Sequence, residues 1–489
     1  MKGDFTRDTF DPTRHFSRVL MQQGRVQLDS DWNEQAAITL HYLRALAADL
    51  IGPHGGSGFM IRNSLGTAGE VIKFDFALSP GNYYVDGILC ENANDFAYKL
   101  QSGYNSDPAL PELKTGLMYL AYLDVWERHV TYHEEPAIRE SALGGIDTAT
   151  RTRVEWQVKL LALDNETDAT STDNGFRNNY DKFIGFLDTN NIIQPGDGQL
   201  AARVPPNAET TDACVVPSDN RYRGVENQLY RVEIHRPGTA WDGNSAAVPP
   251  SAPASAATFK WSRENGSVVF AVVNDPPPSA GGATVVTLEE FGRDKKLDLS
   301  KDDWVELIEH DYIMRNDAKP LLRVTEIDRD EMTVTLERTV AAGVGANQIT
   351  PLLLRRWDHR AGSPSKGADV IEGALVVKAG PAGNEVWLQL EDGIEISFAL
   401  DRRYQTGDYW LIPARTATGN IEWPRDPKTA PDGTKTLVPR PARAQGVKHS
   451  YAPLAMFSFT ADGVIKPITP EGDIGPDADF RRELKPRWA

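Results

Sequence analysis

The chain has 489 residues, 40% of them apolar and 25% charged, with a formal net charge of −17. That length predicts about three domains with sizeable cores, and the acidic balance excludes general nucleic-acid binding and attraction to anionic membranes. No apolar run approaches the length of a bilayer-spanning helix, and the opening MKGDFTRDTFDP lacks the apolar stretch of a secretory signal, so synthesis and retention in the cytoplasm are expected.

The first predicted element is a short helix in PTRHFSRVLMQQG, stopped by Gly24, the residue that most easily takes a left-handed C-cap. RVQLD is then extended. Asp31 is the expected N-cap of a helix over about residues 31–51, with Glu34 three positions on, as in a capping box. Trp32, Ala36, Leu40, Leu43, Ala47 and Leu50 share one face of it, and Gly52-Pro53 ends it. An apolar helical face demands a partner. A neighbouring subunit and this chain's own β-domain both answer that demand.

From residue 60 onward the period changes to two. VIKFDFAL, NYYVDGILC, LMYLAYLDVWERHVTY and TRTRVEWQVKLLAL read as strands. Residues 164–225 are polar and poor in periodicity, so a long loop insertion is expected. In QLYRVEIH, Tyr230, Val232 and Ile234 face one way and Arg231, Glu233 and His235 the other. Residues 243–257, rich in Pro, Ala and Ser, predict an exposed linker. TFKWSRENGSVVFAVV predicts a hairpin, with Asn265-Gly266 in a type I′ turn. The runs around 283–340 predict a small barrel, in which Met332, Val334 and Leu336 alternate with polar neighbours. The C-terminal third continues with NEVWLQLEDGIEISFAL, GDYWLIPA and YAPLAMFSFTADGVIKPI. Gly and Pro, 40 and 32 residues, are spread as punctuation between short apolar segments, as in many-stranded proteins.

The expected fold class is therefore mainly β: a multi-domain chain of small β-sandwich or barrel domains with an N-terminal helical hook. The expected domains are a helical docking segment over 1–58, a β-rich domain over 59–242, a hairpin and small barrel over 258–360, and a β-rich domain with a tail over 361–489. No repeat of fixed period argues for a propeller or solenoid.

Patterns for chemistry fail one by one. DSDWNE opens like a calcium loop, but Glu34 stands where Gly is needed and Leu40 where Glu is needed. His129 and His133 lie four apart on a strand-like segment, some 13 Å along it, too far to share a metal, so solvent-facing strand-end histidines are expected. There is no G-x-S-x-G elbow, P-loop or dinucleotide fingerprint. Cys90 and Cys214, outside any CxxC, suit a reducing compartment, with pairing between them left open. Glu391, Asp392 and Glu395 mark a turn around EDG. Residues 425–448 are locally basic and Pro-rich, a solvated loop. Neither catalytic residue, cofactor nor metal is expected.

GDFTRDTFDPTRHFSRVLMQQGRVQLDSDWNEQ, DVWERHVTYHEEPAIRESALGGIDTATRTRVEWQVKL, FKWSRENGSVV and YQTGDYWLIPARTATGNIEWP resemble a bacterial family of uncharacterised function. Members of that family tend to occur with phage-tail-like contractile injection systems. The resemblance implies a non-enzymatic structural component, at the baseplate, a surrounding cage or a fibre, with other particle subunits as partners. It also implies a homo-oligomer within the complex, assembly in the cytoplasm and release by lysis, with neither nucleic acid nor direct membrane insertion. Gln22, Gln23, Arg25, Asp31, Trp32 and Glu34 are the expected assembly residues. The alternative is a carbohydrate-binding or glycan-cleaving β-protein at the receptor- or wall-facing end of such a particle. Tyr409, Trp410, Arg415 and Trp423 are its expected sugar contacts. A scaffold should instead place Trp126, Trp156, Trp261 and Trp304 in cores or sheet faces.

Overall fold

A computed structural model describes residues 1–101, 104, 111–163, 176, 180–193, 196–205, 221–243, 252–273, 282–340, 344, 351–359, 369–381, 383–429, 433, 435–467, 479–482 and 484. The fold is mainly β, with sheets that are antiparallel apart from the parallel pairing of Ala379–Gly380 with Glu395–Ala399, and one long N-terminal helix. It divides into a larger unit (Met1–Asp8, Thr131–Thr150, Pro195–Gly446) and a smaller one (Thr9–Val130, Arg151–Gln194, Val447–Ala489). The sheets do not follow consecutive stretches of chain. Ser450–Phe459, from the expected C-terminal domain, pairs with Met118–Val130 of the expected 59–242 domain. Cross-strand packing chooses partners by buried face, not by order along the chain.

The smaller unit is built on Met118–Val130 and Arg151–Leu163, in unbroken antiparallel register from Met118↔Leu163 to Val130↔Arg151. Tyr119, Leu123, Val125 and Val158 bury against Phe76, Tyr83 and Phe457 on one face. On the other face, Leu120, Tyr122 and Met456 receive Phe183 and Leu187 of a helix, Tyr180–Thr189. That helix lies inside the expected loop insertion. Its signal was present: Tyr180, Phe183, Ile184 and Leu187 are spaced as one helical face. Gln199–Arg203, also in that stretch, is a strand paired with Glu395–Ala399. Residues 164–175, 177–179 and 206–220, including Cys214, lie outside the described residues, as do 244–251 of the expected linker. Cys90 is buried, and burial pushes its thiol up to about 12.

In the larger unit a six-stranded sheet runs Val370–Ile371, Ala374–Val376, Thr258–Ser262, Gln228–Arg236, Tyr409–Arg415, Asn420–Ile421. A second six-stranded sheet has Val269–Val272 and Thr284–Thr287 at its two ends. Those ends meet, through a Val272↔Leu288 bridge and the bonds Val273 N–H to Thr287 O and Glu289 N–H to Ala271 O, both 2.9 Å. The expected small barrel therefore forms, filled by Val286, Val305, Val324, Val334, Leu336 and Leu354.

The Asn265-Gly266 turn has the predicted geometry, φ 50° and 67°, closed by Ser267 N–H to Glu264 O at 3.0 Å. Its flanking strands do not form a hairpin. Thr258–Ser262 pairs with Gln228–Arg236, and Val269–Val272 pairs with Leu352–Trp357 in the barrel. The turn carries the chain from one sheet to the next. The segment expected as a basic loop is an exposed two-stranded ribbon, Arg425–Thr429 against Lys435–Pro439. Trp126, Trp261 and Trp304 are buried as expected, and Trp156 is half-buried with its Nε1–H donating to Glu91 O.

Helix α1 spans Asp29–Ile51 and starts two residues before the predicted Asp31. Leu28 is its N-cap and no side chain caps it. Asp29 and Asp31 instead sit in the first turn, where their charge opposes the positive end of the helix dipole. Gly52 ends the helix as predicted, its N–H bonding to Ala48 O at 2.8 Å. The helix expected ahead of Gly24 does not form: only Pro12–Arg14 turns, closed by His15 at φ 56°. A short isolated helix with no packed face is not stable in water.

Candidate assembly interface

Residues 9–51 meet the rest of the smaller unit through one side of α1. Ile38 is buried, Arg44 pairs with Glu127 at 2.8 Å, and Ile51 packs near Gly55. At the Asp86-Gly87 turn, φ 50° and 75°, a Cβ on Gly87 would collide with the Arg44 carbonyl, so only glycine admits the helix this closely. Thr9 Oγ1 donates to Glu34 at 2.6 Å, and Val19 N–H donates to Gln35 Oε1 at 2.8 Å. Phe10 lies 5.8 Å from His41, ring to ring.

The other side of α1 carries the apolar stripe, and that stripe faces solvent. Trp32 is 66% exposed, Leu43 59% and Leu50 74%, with Leu40 and Leu46 also exposed. Within the smaller unit the described β-strands leave this stripe uncovered. The arm before it does the same. Phe16, Leu20, Met21, Val26 and Leu28 are exposed along an extended backbone turned at Gln22–Arg25, with Gly24 at φ 70°. Eleven of the 24 large apolar side chains exposed among the described residues fall between Phe16 and Leu50. A concentration of that kind on a folded surface marks a contact with another molecule.

The expected assembly residues separate into two groups. Gln22, Gln23, Arg25 and Trp32 are exposed at this surface. Glu34 turns inward to Thr9, and Asp31 is half-buried in the first turn of α1.

The expected sugar contacts do not make a platform. Trp410 is 2% exposed, its Nε1–H bonded to Ala442 O and its ring 6.0 Å from Phe398 and 6.3 Å from Tyr404. No face of that ring is open to stack a sugar, which overturns its assignment. Strand alternation explains it, since Trp410, Ile412 and Ala414 are the inward set of Tyr409–Arg415. Trp423 packs against the same core and donates to Arg440 O. Tyr409 lies under the Arg231 guanidinium at 3.6 Å, and Arg415 bonds to Glu422 and Thr6 O.

The larger unit holds a polar network that the sequence did not announce. Arg231 and Glu233, read as facing away from the core, are 3% exposed, and His235 1%. Glu233 accepts from Arg231 Nε at 2.6 Å and pairs with Lys2 at 2.9 Å and Lys260 at 3.6 Å. Lys260 continues to Glu306 at 2.7 Å, which also accepts Trp357 Nε1–H. Asn265 of the turn accepts from Arg231 and donates to Gly3 O. Arg263 grips Glu391 through Nε and Nη2, both at 2.6 Å, and reaches Asp358 at 2.8 Å. Glu391 also accepts from Tyr230. Glu395 is paired with Arg203, and the turn predicted at Glu391–Ile394 is present, with Asp392 at φ 47°.

Burial works to raise Glu306 but is outweighed by Lys260 and Lys2, which bring it down to about 2. Burial, reinforced by Lys260, brings His235 down to about 3, so its ring is neutral. The carboxylates Glu233, Glu306 and Glu391 are thus each paired with cations of the network, whereas neither ring nitrogen of His235 has a hydrogen-bond partner among the described residues. His129 and His133 are half-buried rather than solvent-facing, and burial lowers His133 from its ordinary value. No group of three or more His, Cys, Asp or Glu among the described residues is placed to hold a metal.

Glu264 differs from its neighbours. It is 8% exposed and neither carboxylate oxygen has a hydrogen bond; Lys296 and Arg356 stand at 3.4 and 3.9 Å. Burial, reinforced by Asp358, pushes it up to about 7 from 4.5. A raised carboxyl stabilises the fold fully below its unfolded value, and that contribution is lost as pH rises through the folded one. Glu264→Gln should therefore gain stability relative to the parent as pH rises from about 4.5 to above 7. Urea midpoints at pH 5 and pH 8 check this; a difference that does not change with pH would refute it.

A family model described as a family of unknown function, DUF6519, matches residues 1–179 and 194–466. Comparison with curated proteins finds no match. Among solved structures, one titled "Crystal structure of TssK" is similar at a TM-score of 0.17 and 7% identity, over 78% of this chain and 99% of that chain. A likeness at that level carries no argument.

Proposed function

Within the DUF6519 family, to which this chain belongs, we propose that it is a non-enzymatic structural subunit of a phage-tail-like contractile injection particle, joined to its neighbours through the arm and α1. The observation that carries the assembly role is the solvent-facing stripe of α1, continued by the apolar arm. Water contact with so much apolar surface is unfavourable by roughly 25 cal/mol per Å². A subunit that covers it on assembly recovers that energy. The particle is suggested by the resemblance of the sequence motifs. The charged clusters support a structural role, because Glu233, Glu306 and Glu391 are spent on neighbouring cations. A glycan-binding role loses its stacking residue with Trp410 in the core.

The test is Leu43→Glu with Leu46→Glu, in the full chain expressed in its native host. Both positions are exposed, so stability should stay within about 0.5 kcal/mol. The variant should vanish from purified particles analysed by mass spectrometry, while the parent chain is recovered. Recovery of both at equal levels would sink the reading.

A further inference from the structure

The arm and the helix of this surface carry opposite charge. Residues 12–28 contain Arg14, Arg18 and Arg25 and no Asp or Glu. Helix α1 contains Asp29, Asp31, Glu34 and Asp49 against a single Arg44, and Arg44 is already held by Glu127. Arg18 and Arg25 are exposed and form no ion pair among the described residues. Arg14 has only a 3.6 Å contact with Asp11. Two adjoining segments are thus both apolar, both uncovered, and of opposite sign.

That arrangement is what a two-fold contact requires. Under a two-fold axis a patch meets itself, so each feature must find its complement elsewhere on the same patch. The hydrogen bond from Val19 to Gln35 keeps arm and helix side by side. A second copy, turned through 180°, can then lay its arm on this helix while its helix receives this arm. In a chain of net charge −17, a basic apolar segment is the exception that an acidic helix can accept. The area suffices as well. Eleven large apolar side chains, each roughly half exposed, offer on the order of 1,000 Å² per copy, against about 800 Å² per partner in a stable complex.

We propose that residues 12–51 form a self-complementary dimer interface, the arm of each copy lying along α1 of the other. The proposal rests on the reading of this surface as the assembly interface and names its occupant: a second copy of this chain.

Sedimentation of the full chain should give twice 54.0 kDa. Arg18→Glu with Arg25→Glu should halve that mass, with the far-ultraviolet spectrum unchanged. Asp29→Lys with Asp49→Lys should halve it too; the two changes act in opposite senses on the helix dipole, so α1 is retained. Mixing the two variants should restore the dimer, because each reversed arm then meets a reversed helix. A monomeric parent, an arm-reversed chain of unchanged mass, or a mixture that stays monomeric would each overturn the proposal. The two readings fail separately. A monomeric parent whose Leu43→Glu/Leu46→Glu form is lost from particles rejects the dimer and keeps the assembly role. A dimeric parent whose same variant remains in particles does the reverse.

Discussion

Glu233→Ala is expected to destabilise the larger unit by about 3–5 kcal/mol. Glu233 pairs with Lys2 and Arg231 at once, and it lies 3.6 Å from Lys260. Burial works to raise its carboxyl, and the three cations outweigh that, holding it well below the ordinary value. Removing the carboxylate leaves cations crowded in a site where Arg231 and Lys260 are 3% exposed. The loss is then set by the uncompensated charge, not by one hydrogen bond. The lowered carboxyl contributes stability above its unfolded value that is lost as pH falls toward the folded one. The penalty for Glu233→Ala should therefore be full at pH 7 and shrink below about pH 4.5. Urea unfolding at pH 7 and pH 4 measures both; a penalty under about 1 kcal/mol at pH 7 would mean that water reaches the cluster.

Trp410→Ala should cost about 3–5 kcal/mol, the usual range for a large aromatic removed from a packed core. The ring fills space among Phe398, Tyr404 and Ile412, and its Nε1–H satisfies the Ala442 carbonyl. The truncation opens a cavity and orphans that acceptor together. Trp32→Ala on the exposed stripe should change stability by less than about 0.5 kcal/mol. Thermal or urea unfolding of the two variants makes the comparison. If Trp410→Ala were as mild as Trp32→Ala, Trp410 would have to be at the surface and the sugar-stacking reading would revive.

The contrast between these two tryptophans marks how far the sequence could be read. Period two located the long strands and the barrel, because one face of each strand had to be apolar. Helical spacing of apolar residues located α1 and its stripe by the same logic. It could not say which tryptophan was covered, since the second side of a strand or helix is decided by segments far away. Arg231, Glu233 and His235 look like a solvated face. They are buried because Lys2 and Gly3, Lys260, and Glu306 come from elsewhere in the chain to cover them. The Asn265-Gly266 pair is legible as a turn, correctly in its dihedrals. Its larger role, with Arg263 and Asn265 fastening three distant segments, depends on partners at Asp358, Glu391 and Gly3 that no local pattern names. The helix Tyr180–Thr189 was legible from spacing and was hidden by its polar surroundings.

The pairing of Ser450–Phe459 with Met118–Val130 governs how this protein can be made. The inner strand of the smaller unit's main sheet leaves the ribosome some 320 residues before its second neighbour. At about 5–20 residues per second that is a wait of roughly 15–60 s. Through that interval Met118–Val130 is a sheet edge, flanked on one side only by Arg151–Leu163, and an edge of this length invites pairing with other nascent chains. Folding of the smaller unit thus waits for the synthesis of Ser450–Phe459. A transcript or protease that stops the chain near residue 446 would leave the edge open permanently, and such fragments should accumulate as aggregates rather than as folded N-terminal pieces.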